Sequence, residues 1–155
     1  STAPVQVTET PPTCTAMVST TEALSPLSSS VAIAVTVIGD GAFLAGNAVV
    51  HQFCRVGAMA MMQGCAGVSL DLPPFTIVRG INGMCGLNSV GLKRAGFSAK
   101  ERSQLKKAYH AIFLSDDLLN DALKKARDEF TGVLAEQLID FVATSQRGTC
   151  SHTKR

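Results

Sequence analysis

The 155-residue chain is long enough for one domain with a core of its own. Its formal net charge of +2 argues against a nucleic-acid binder, and no apolar run approaches the roughly 20 residues that cross a bilayer. With one Tyr, seven Phe and no Trp, small and aliphatic residues must fill the interior, which suits a narrow, regular core.

Residues 1–36 are Ser/Thr/Pro-rich, and up to residue 30 they contain no Gly, Lys or Arg and only Glu9 and Glu22 as charges. Pro11-Pro12 and Ser25-Pro26 punctuate the segment, and no apolar period of two or 3.6 persists in it. Such a composition predicts an irregular segment that buries too little surface to order itself. It has no basic region followed by an apolar one, so it does not read as a signal peptide.

A different rule governs residues 37–78. Aliphatic residues recur at every sixth position, at Ile38, Leu44, Val50, Val56, Met62 and Val68. Small residues precede most of them by two, at Ala42, Ala48, Cys54, Ala60 and Ala66. A period of six is neither helical nor alternating; it marks a hexapeptide β-helix, with the aliphatic residue inward and the small residue at the corner. Gly39, Gly46, Gly57, Gly64 and Gly67 are expected at turn positions that need φ > 0. Three hexapeptides make one triangular coil of a left-handed parallel β-helix, an exception to the right-handed crossover preference. About two coils are expected, ended by Pro73-Pro74 because proline lacks the ladder donor. The coil beginning near Val37 should present an uncovered strand edge.

Residues 79–96 read as a connecting loop, 97–150 as a small helical domain, and 151–155 as a tail. Ser98 with Glu101 forms a capping box, followed by the stripe Leu105, Ala108, Tyr109, Ile112 and Phe113. A second helix is expected from about Asp116, its acids at the positive end and Leu119, Ala122, Leu123, Ala126 and Phe130 inward. Gly132 should interrupt it. Val133, Leu134, Leu138, Ile139, Phe141 and Val142 predict a third helix, with Gly148 beyond its end.

The five cysteines (Cys14, Cys54, Cys65, Cys85, Cys150) are odd in number and lack C-x-x-C spacing, so no metal site is expected. Free thiols predict a cytoplasmic protein. Lys93, Arg94, Lys100, Arg102, Lys106 and Lys107 form a basic run in which Glu101 is the only acid. An acidic partner protein could dock there, though a charge run is more often only a solvated face.

At His51 the sequence becomes specific. Val50-His51-Gln52-Phe53-Cys54-Arg55-Val56-Gly57-Ala58, Gly64-Cys65-Ala66-Gly67-Val68, Asp71-Leu72-Pro73-Pro74-Phe75 and Gly91-Leu92-Lys93-Arg94-Ala95-Gly96-Phe97-Ser98 occur in that order. They resemble V-H-Q-F-C-x-[IV]-G-A, G-C-S-G-V, D-V-P-P-Y and G-L-K-R-R-G-F-S in the carboxyl-terminal half of the hexapeptide-repeat acyltransferases that act on UDP-N-acetylglucosamine. The match runs from about Gly39 to Gly148. The resemblance implies transfer of a 3-hydroxyacyl chain from acyl carrier protein to the sugar 3-hydroxyl, the first step of lipid A biosynthesis. It also implies homotrimers with sites in the clefts between subunits. His51 and Gln52 match residues that line the cleft, Gly64 the position that limits acyl length, and Asn88 and Arg94 residues that engage the nucleotide. Three of them have a plainer reading: His51 as a solvated turn histidine, Gly64 as a turn glycine and Arg94 as a helix-end arginine.

Three departures stand out. Val90 replaces the family's glutamate, and Ala95 replaces its second arginine. The family's general base lies in an H-x-x-H-D segment upstream, and no His precedes His51 here; Ile33-Ala34-Val35-Thr36 stands where A-G-H-V is expected. The catalytic base is therefore unassigned. Either the segment before Ile38 is unrelated to the fold, through truncation, fusion or a frame error, or the chain is a paralogue that lost catalysis. The alternative function is a non-catalytic β-helix scaffold that binds acyl carrier protein.

Overall fold

The computed structural model describes residues 15–19 and 34–153. Most of the segment expected to be irregular therefore lies outside the described residues, as does Cys14. Within that segment, β1 (Thr15–Ser19) pairs antiparallel with β2 (Ala34–Ile38).

The hexapeptide period becomes a ladder of two-residue strands: β3 (Phe43–Leu44), β4 (Val49–Val50), β5 (Arg55–Val56), β6 (Met61–Met62) and β7 (Gly67–Val68). Their register carries the triangular logic. Val37 pairs with Arg55, Phe43 with Met61 and Val49 with Gly67, all parallel and all eighteen residues apart. Every third hexapeptide thus stacks on the first, and three sheets result. The inward residues of the second round, Val56, Met62 and Val68, are buried, whereas Ile38, Leu44 and Val50 are half-buried. On one sheet β1 covers the outer edge of β2; no described strand covers that of β3 or β4.

The register shortens between Val68 and Leu72, just before Pro73-Pro74, and the prolines do not end the stack. After Pro73-Pro74, β8 (Thr76–Arg79) still lies parallel to β6, with Met61 beside Ile77, and Val56 bridges to Leu72. Those partners are sixteen residues apart, so the last round is shortened. β9 (Gly83–Leu87) turns back antiparallel on β8.

The corner geometry corrects the glycine expectation. None of Gly39, Gly46, Gly57, Gly64 or Gly67 has positive φ. The left-handed residue falls once per hexapeptide at Gly41, Asn47, Phe53, Met59 and Cys65. Side-chain-bearing residues at four of these corners carry a local strain of about 1–2 kcal/mol each, which the stacked ladder over-determines. Gly39 is needed for a different reason: a Cβ there would sit 2.6 Å from the Ala58 nitrogen in the next round.

The span 79–96, expected as loop, contains β9 and a short helix, α1 (Ser89–Arg94). Six residues are too few to display a helical period, and the sheet edge offered by β8 captures β9. α2 (Ala99–Phe113) begins with the expected capping box. The Glu101 nitrogen donates to Ser98 Oγ at 3.2 Å, while Ser98 N–H and Oγ–H donate to the carboxylate at 2.8 and 2.6 Å. Ser98 holds the Glu101 carboxyl below its usual range through those two bonds, the hydroxyl's first.

α3 starts later than expected, at Leu119 (Leu119–Glu129), without a side-chain cap. Asp116 and Asp117 are used in the connection, where Asp117 pairs with Lys125 at 2.7 Å. Leu119 is consequently exposed, while Ala122, Ala126 and Phe130 are buried as expected. Gly132 precedes α4 (Val133–Ala143), which buries Leu134, Leu138, Ile139 and Val142. The expected tail instead forms β10 (Ser151–His152), parallel to β9. Helix residues such as Leu105, Tyr109 and Leu138 join Val56, Met62, Val68 and Val78 in one hydrophobic cluster. The strands and helices share this core.

Candidate functional site

His51 follows β4 and is exposed on the corner that ends in the left-handed Phe53. Its Nδ1 lies 3.0 Å from the carbonyl oxygen of Gln52. A carbonyl only accepts, so Nδ1 must carry the proton, and in the neutral ring Nε2 is left as a bare acceptor. Arg147 Nη1 donates to the same carbonyl at 3.1 Å, tying this corner to the segment after α4. The Gln52 side chain is exposed beside it.

His51 borders a groove of about 390 Å³, with Val49, Cys65, Ser69 and Ile81 among its walls. Val49 and Ile81 are 65% and 81% exposed, an apolar rim with no covering group among the described residues. Gly64 adjoins this wall and is exposed. Its φ is not positive, and a Cβ would meet only the Gly46 carbonyl oxygen, at 3.6 Å. The backbone therefore tolerates a side chain at this position.

Asn88 has a definite structural duty. It is buried, caps α1 by accepting from the Gly91 nitrogen at 3.0 Å, and donates from Nδ2 to the Met59 carbonyl at 2.9 Å. It thereby fastens α1 to a strained corner of the coil. Arg94 lies exposed in the last turn of α1 and lines a second cleft with Ser89, Val90, Lys93 and Arg102. The structure thus brings His51 and the Gly64–Cys65 corner together, and places Arg94 in a cleft that shares no lining residue with them. Val90 and Ala95, two of the three departures, are both exposed on α1 or at its end.

Sequence reading overlooked one network. Asp71, almost fully buried, accepts from the Arg55 backbone nitrogen and Nε at 2.8 Å each and from Ser145 Oγ at 2.9 Å. The Arg55 guanidinium also reaches the Phe141 carbonyl at 3.0 Å and stacks 4.4 Å over the Phe141 ring. A lone acid between Leu70 and Leu72 was the available signal. His152, given no role from sequence, has Nδ1 2.8 Å from the buried Tyr109 hydroxyl.

Among the described residues no group of three or more His, Cys, Asp or Glu is placed to hold a metal. No described helix is long and apolar enough to cross a membrane. Cys65 and Cys85 are exposed; Cys54 and Cys150 are buried. Burial pushes the Cys150 thiol up to about 12 and raises that of Cys54 against the lowering effect of Arg147. At pH 8, iodoacetamide should modify Cys65 and Cys85 within minutes and leave Cys54 and Cys150 intact in the folded chain. Peptide mapping by mass spectrometry checks this; early alkylation of Cys150 would contradict it.

Comparison with known proteins covers the same region. Residues 71–150 match the family described as UDP-N-acetylglucosamine O-acyltransferase, domain 2. The acyl-[acyl-carrier-protein]–UDP-N-acetylglucosamine O-acyltransferase of Thiobacillus denitrificans is 42% identical over 113 residues, covering 72% of this chain and 44% of that protein. The enzyme of the same name from Myxococcus xanthus is 38% identical over 111 residues, covering 70% and 43%. Among solved structures, the UDP-N-acetylglucosamine acyltransferase of Bacteroides fragilis superposes with a TM-score of 0.69 at 36% identity, over 74% of this chain and 46% of that one. That of Campylobacter jejuni gives 0.71 at 26% identity, over 76% and 46%. The chain spans about half the length of the curated relatives it matches.

Proposed function

Because the chain belongs to the UDP-N-acetylglucosamine O-acyltransferase family, we propose that it supplies the carboxyl-terminal part of such an acyltransferase. The reaction is transfer of a 3-hydroxyacyl group from acyl carrier protein to the 3-hydroxyl of UDP-N-acetylglucosamine, the first step of lipid A synthesis. The assembly is a cytoplasmic homotrimer of left-handed β-helices, without a cofactor.

Support comes chiefly from the groove at His51. An acyl chain needs an apolar trough, and Val49 and Ile81 offer one. A sugar hydroxyl needs an acceptor beside it, and Nε2 of His51 is free to be one. Gln52 adjoins it. Gly64, by its match to the family, limits acyl length; local packing itself would accept a side chain there. Arg94 and Asn88 belong to the nucleotide, Arg94 through its planar fork and Asn88 by holding α1 in place. The basic run on α1 and α2 steers the acidic carrier protein.

In the reaction a neutral histidine removes the hydroxyl proton as the oxygen attacks the thioester carbonyl, and backbone N–H groups stabilise the oxyanion. Its collapse breaks the C–S bond, the departing carrier-protein thiolate taking the proton from the histidine. With no His before His51, that general base is not among residues 1–50. The chain by itself should accordingly bind UDP-N-acetylglucosamine in calorimetry yet turn over no faster than a no-enzyme blank. Turnover well above the blank would refute the missing-base reading. Binding of acyl carrier protein without the nucleotide sugar would instead establish the scaffold reading, which the same absence of an upstream histidine favours.

A further inference from the structure

The corners of successive rounds are joined by a recurring bond. The carbonyls of Asp40, Gly46 and Ala58 each precede a left-handed residue, and each accepts a backbone N–H from the left-handed residue of the next round. The donors are Met59 at 2.8 Å, Cys65 at 3.0 Å and Phe75 at 2.8 Å. Where the left-handed residue carries a side chain, this bond opposes its strain. Turning the preceding peptide would bring that residue back to negative φ, but it would swing the carbonyl off its donor. Gln52, which precedes Phe53 at φ 63°, departs from the pattern. Met59 and Cys65 lie nineteen residues beyond their acceptors, and the same spacing from Gln52 falls on Asp71. There the round is shortened, and the Asp71 N–H donates to the Gly148 carbonyl instead, at 3.0 Å. Among the described residues no backbone N–H reaches the Gln52 carbonyl. Arg147, the neighbour of Gly148, reaches it from Nη1 at 3.1 Å. Besides His51, the remaining donor is the Cys54 thiol, at a weak 3.9 Å.

We infer that Arg147 is a positioning residue for His51. Its guanidinium takes the place of the ladder N–H that the shortened round withdraws, and so keeps the Gln52 carbonyl turned toward His51 Nδ1. While the carbonyl holds that place, the ring proton stays on Nδ1 and Nε2 remains a bare acceptor beside the groove. A charged donor suits an exposed corner, because its bond to a carbonyl is stronger than a neutral one. Without it the Gln52–Phe53 peptide can turn, Phe53 leaves the left-handed region, and the imidazole loses the partner that selects its tautomer. Arg147 lines a separate small cleft with Arg55 and Asp71 and is not part of the groove wall, so it acts through Gln52. That Nε2 meets a sugar hydroxyl rests on the acyltransferase reading above; control of the tautomer does not.

The test is two-bond proton–nitrogen NMR on the full chain with labelled histidine, at a pH where the rings are neutral. Wild type is compared with Arg147→Met and Arg147→Lys, and His51→Asn assigns the signals. Wild type should carry the His51 proton on Nδ1. Arg147→Met should raise the Nε2–H form of His51 about fivefold or more, while His110 and His152 stay as they were. Arg147→Lys, which keeps a charged donor, should recover most of the wild-type ratio. Arg147 is exposed, so all three chains should fold and melt within a few degrees of one another. An unchanged tautomer in Arg147→Met overturns the inference, whether or not melting falls, because a merely structural tie would lower melting alone. A wild-type ring protonated on Nε2 overturns it equally. Calorimetry with UDP-N-acetylglucosamine separates the two readings. If the tautomer follows Arg147 while affinity for the nucleotide sugar does not, the positioning role stands and the assignment of His51 to the substrate falls.

Discussion

Replacing Asp71 with alanine is expected to remove about 3–5 kcal/mol of folding stability, the range for breaking a buried ion pair by deleting one partner. The carboxylate is 3% exposed and accepts three hydrogen bonds, two from Arg55 and one from Ser145. Without it, the Arg55 guanidinium keeps its place over Phe141 but loses its counter-charge, and the β5 backbone nitrogen loses its acceptor. The network also joins the coil to the segment after α4, from which Arg147 reaches the Gln52 carbonyl. Asp71→Ala should therefore loosen the His51 corner as well. Asp71→Asn keeps one acceptor oxygen and should cost roughly half as much. Arg55→Met with Asp71→Leu, which removes both charges, should recover at least half of the alanine variant's loss. Urea unfolding of the set reads this directly. A loss below about 1 kcal/mol for Asp71→Ala would mean that the pair is screened by water and that α4 is held by its apolar face alone.

Legibility from the sequence followed the range of the interactions. The hexapeptide period was readable because each aliphatic residue repeats the environment of the one six before it, and the eighteen-residue register follows from that repetition. The α2 capping box and the inward faces of α2 and α4 were readable because both are local. The corners were not. Phe53, Met59 and Cys65 take left-handed backbone although none carries a turn signature, since the ladder on either side dictates the conformation. α1 was hidden by its length, and α3 was placed too early because two acids suggested a helix start that the connection uses otherwise. At the site, His51 and Gly64 could be selected by resemblance, but the proton on Nδ1 depends on the Gln52 carbonyl, which only coordinates supply.

Gly57 should be the least replaceable glycine of the coils. It is buried, and a Cβ built on it would fall inside contact distance of the Pro74 nitrogen, Cα and Cδ. Neither side can yield cheaply. Gly57 N–H donates to the Leu72 carbonyl and Phe75 N–H donates to the Ala58 carbonyl, each at 2.8 Å, so hydrogen bonds between the rounds bracket the collision. Proline has no rotatable side chain to swing away, and Pro73 and Pro74 are both buried. Gly57→Ala must separate the rounds and lose one or both bonds, an expected cost of about 3 kcal/mol or more. Gly46→Ala provides the contrast, because a Cβ there meets nothing within 4 Å and φ is not positive. It should be neutral or stabilise by about 0.5 kcal/mol through the unfolded chain. Gly39→Ala should fall between them: its Cβ collides with Ala58, but the first round has half-buried neighbours and more room to shift. Denaturation midpoints in the order Gly46→Ala, Gly39→Ala, Gly57→Ala, highest first, would establish that close stacking rather than turn conformation selects glycine here. Equal losses at all three would return the explanation to the turns, and the register of the shortened last round would then be wrong.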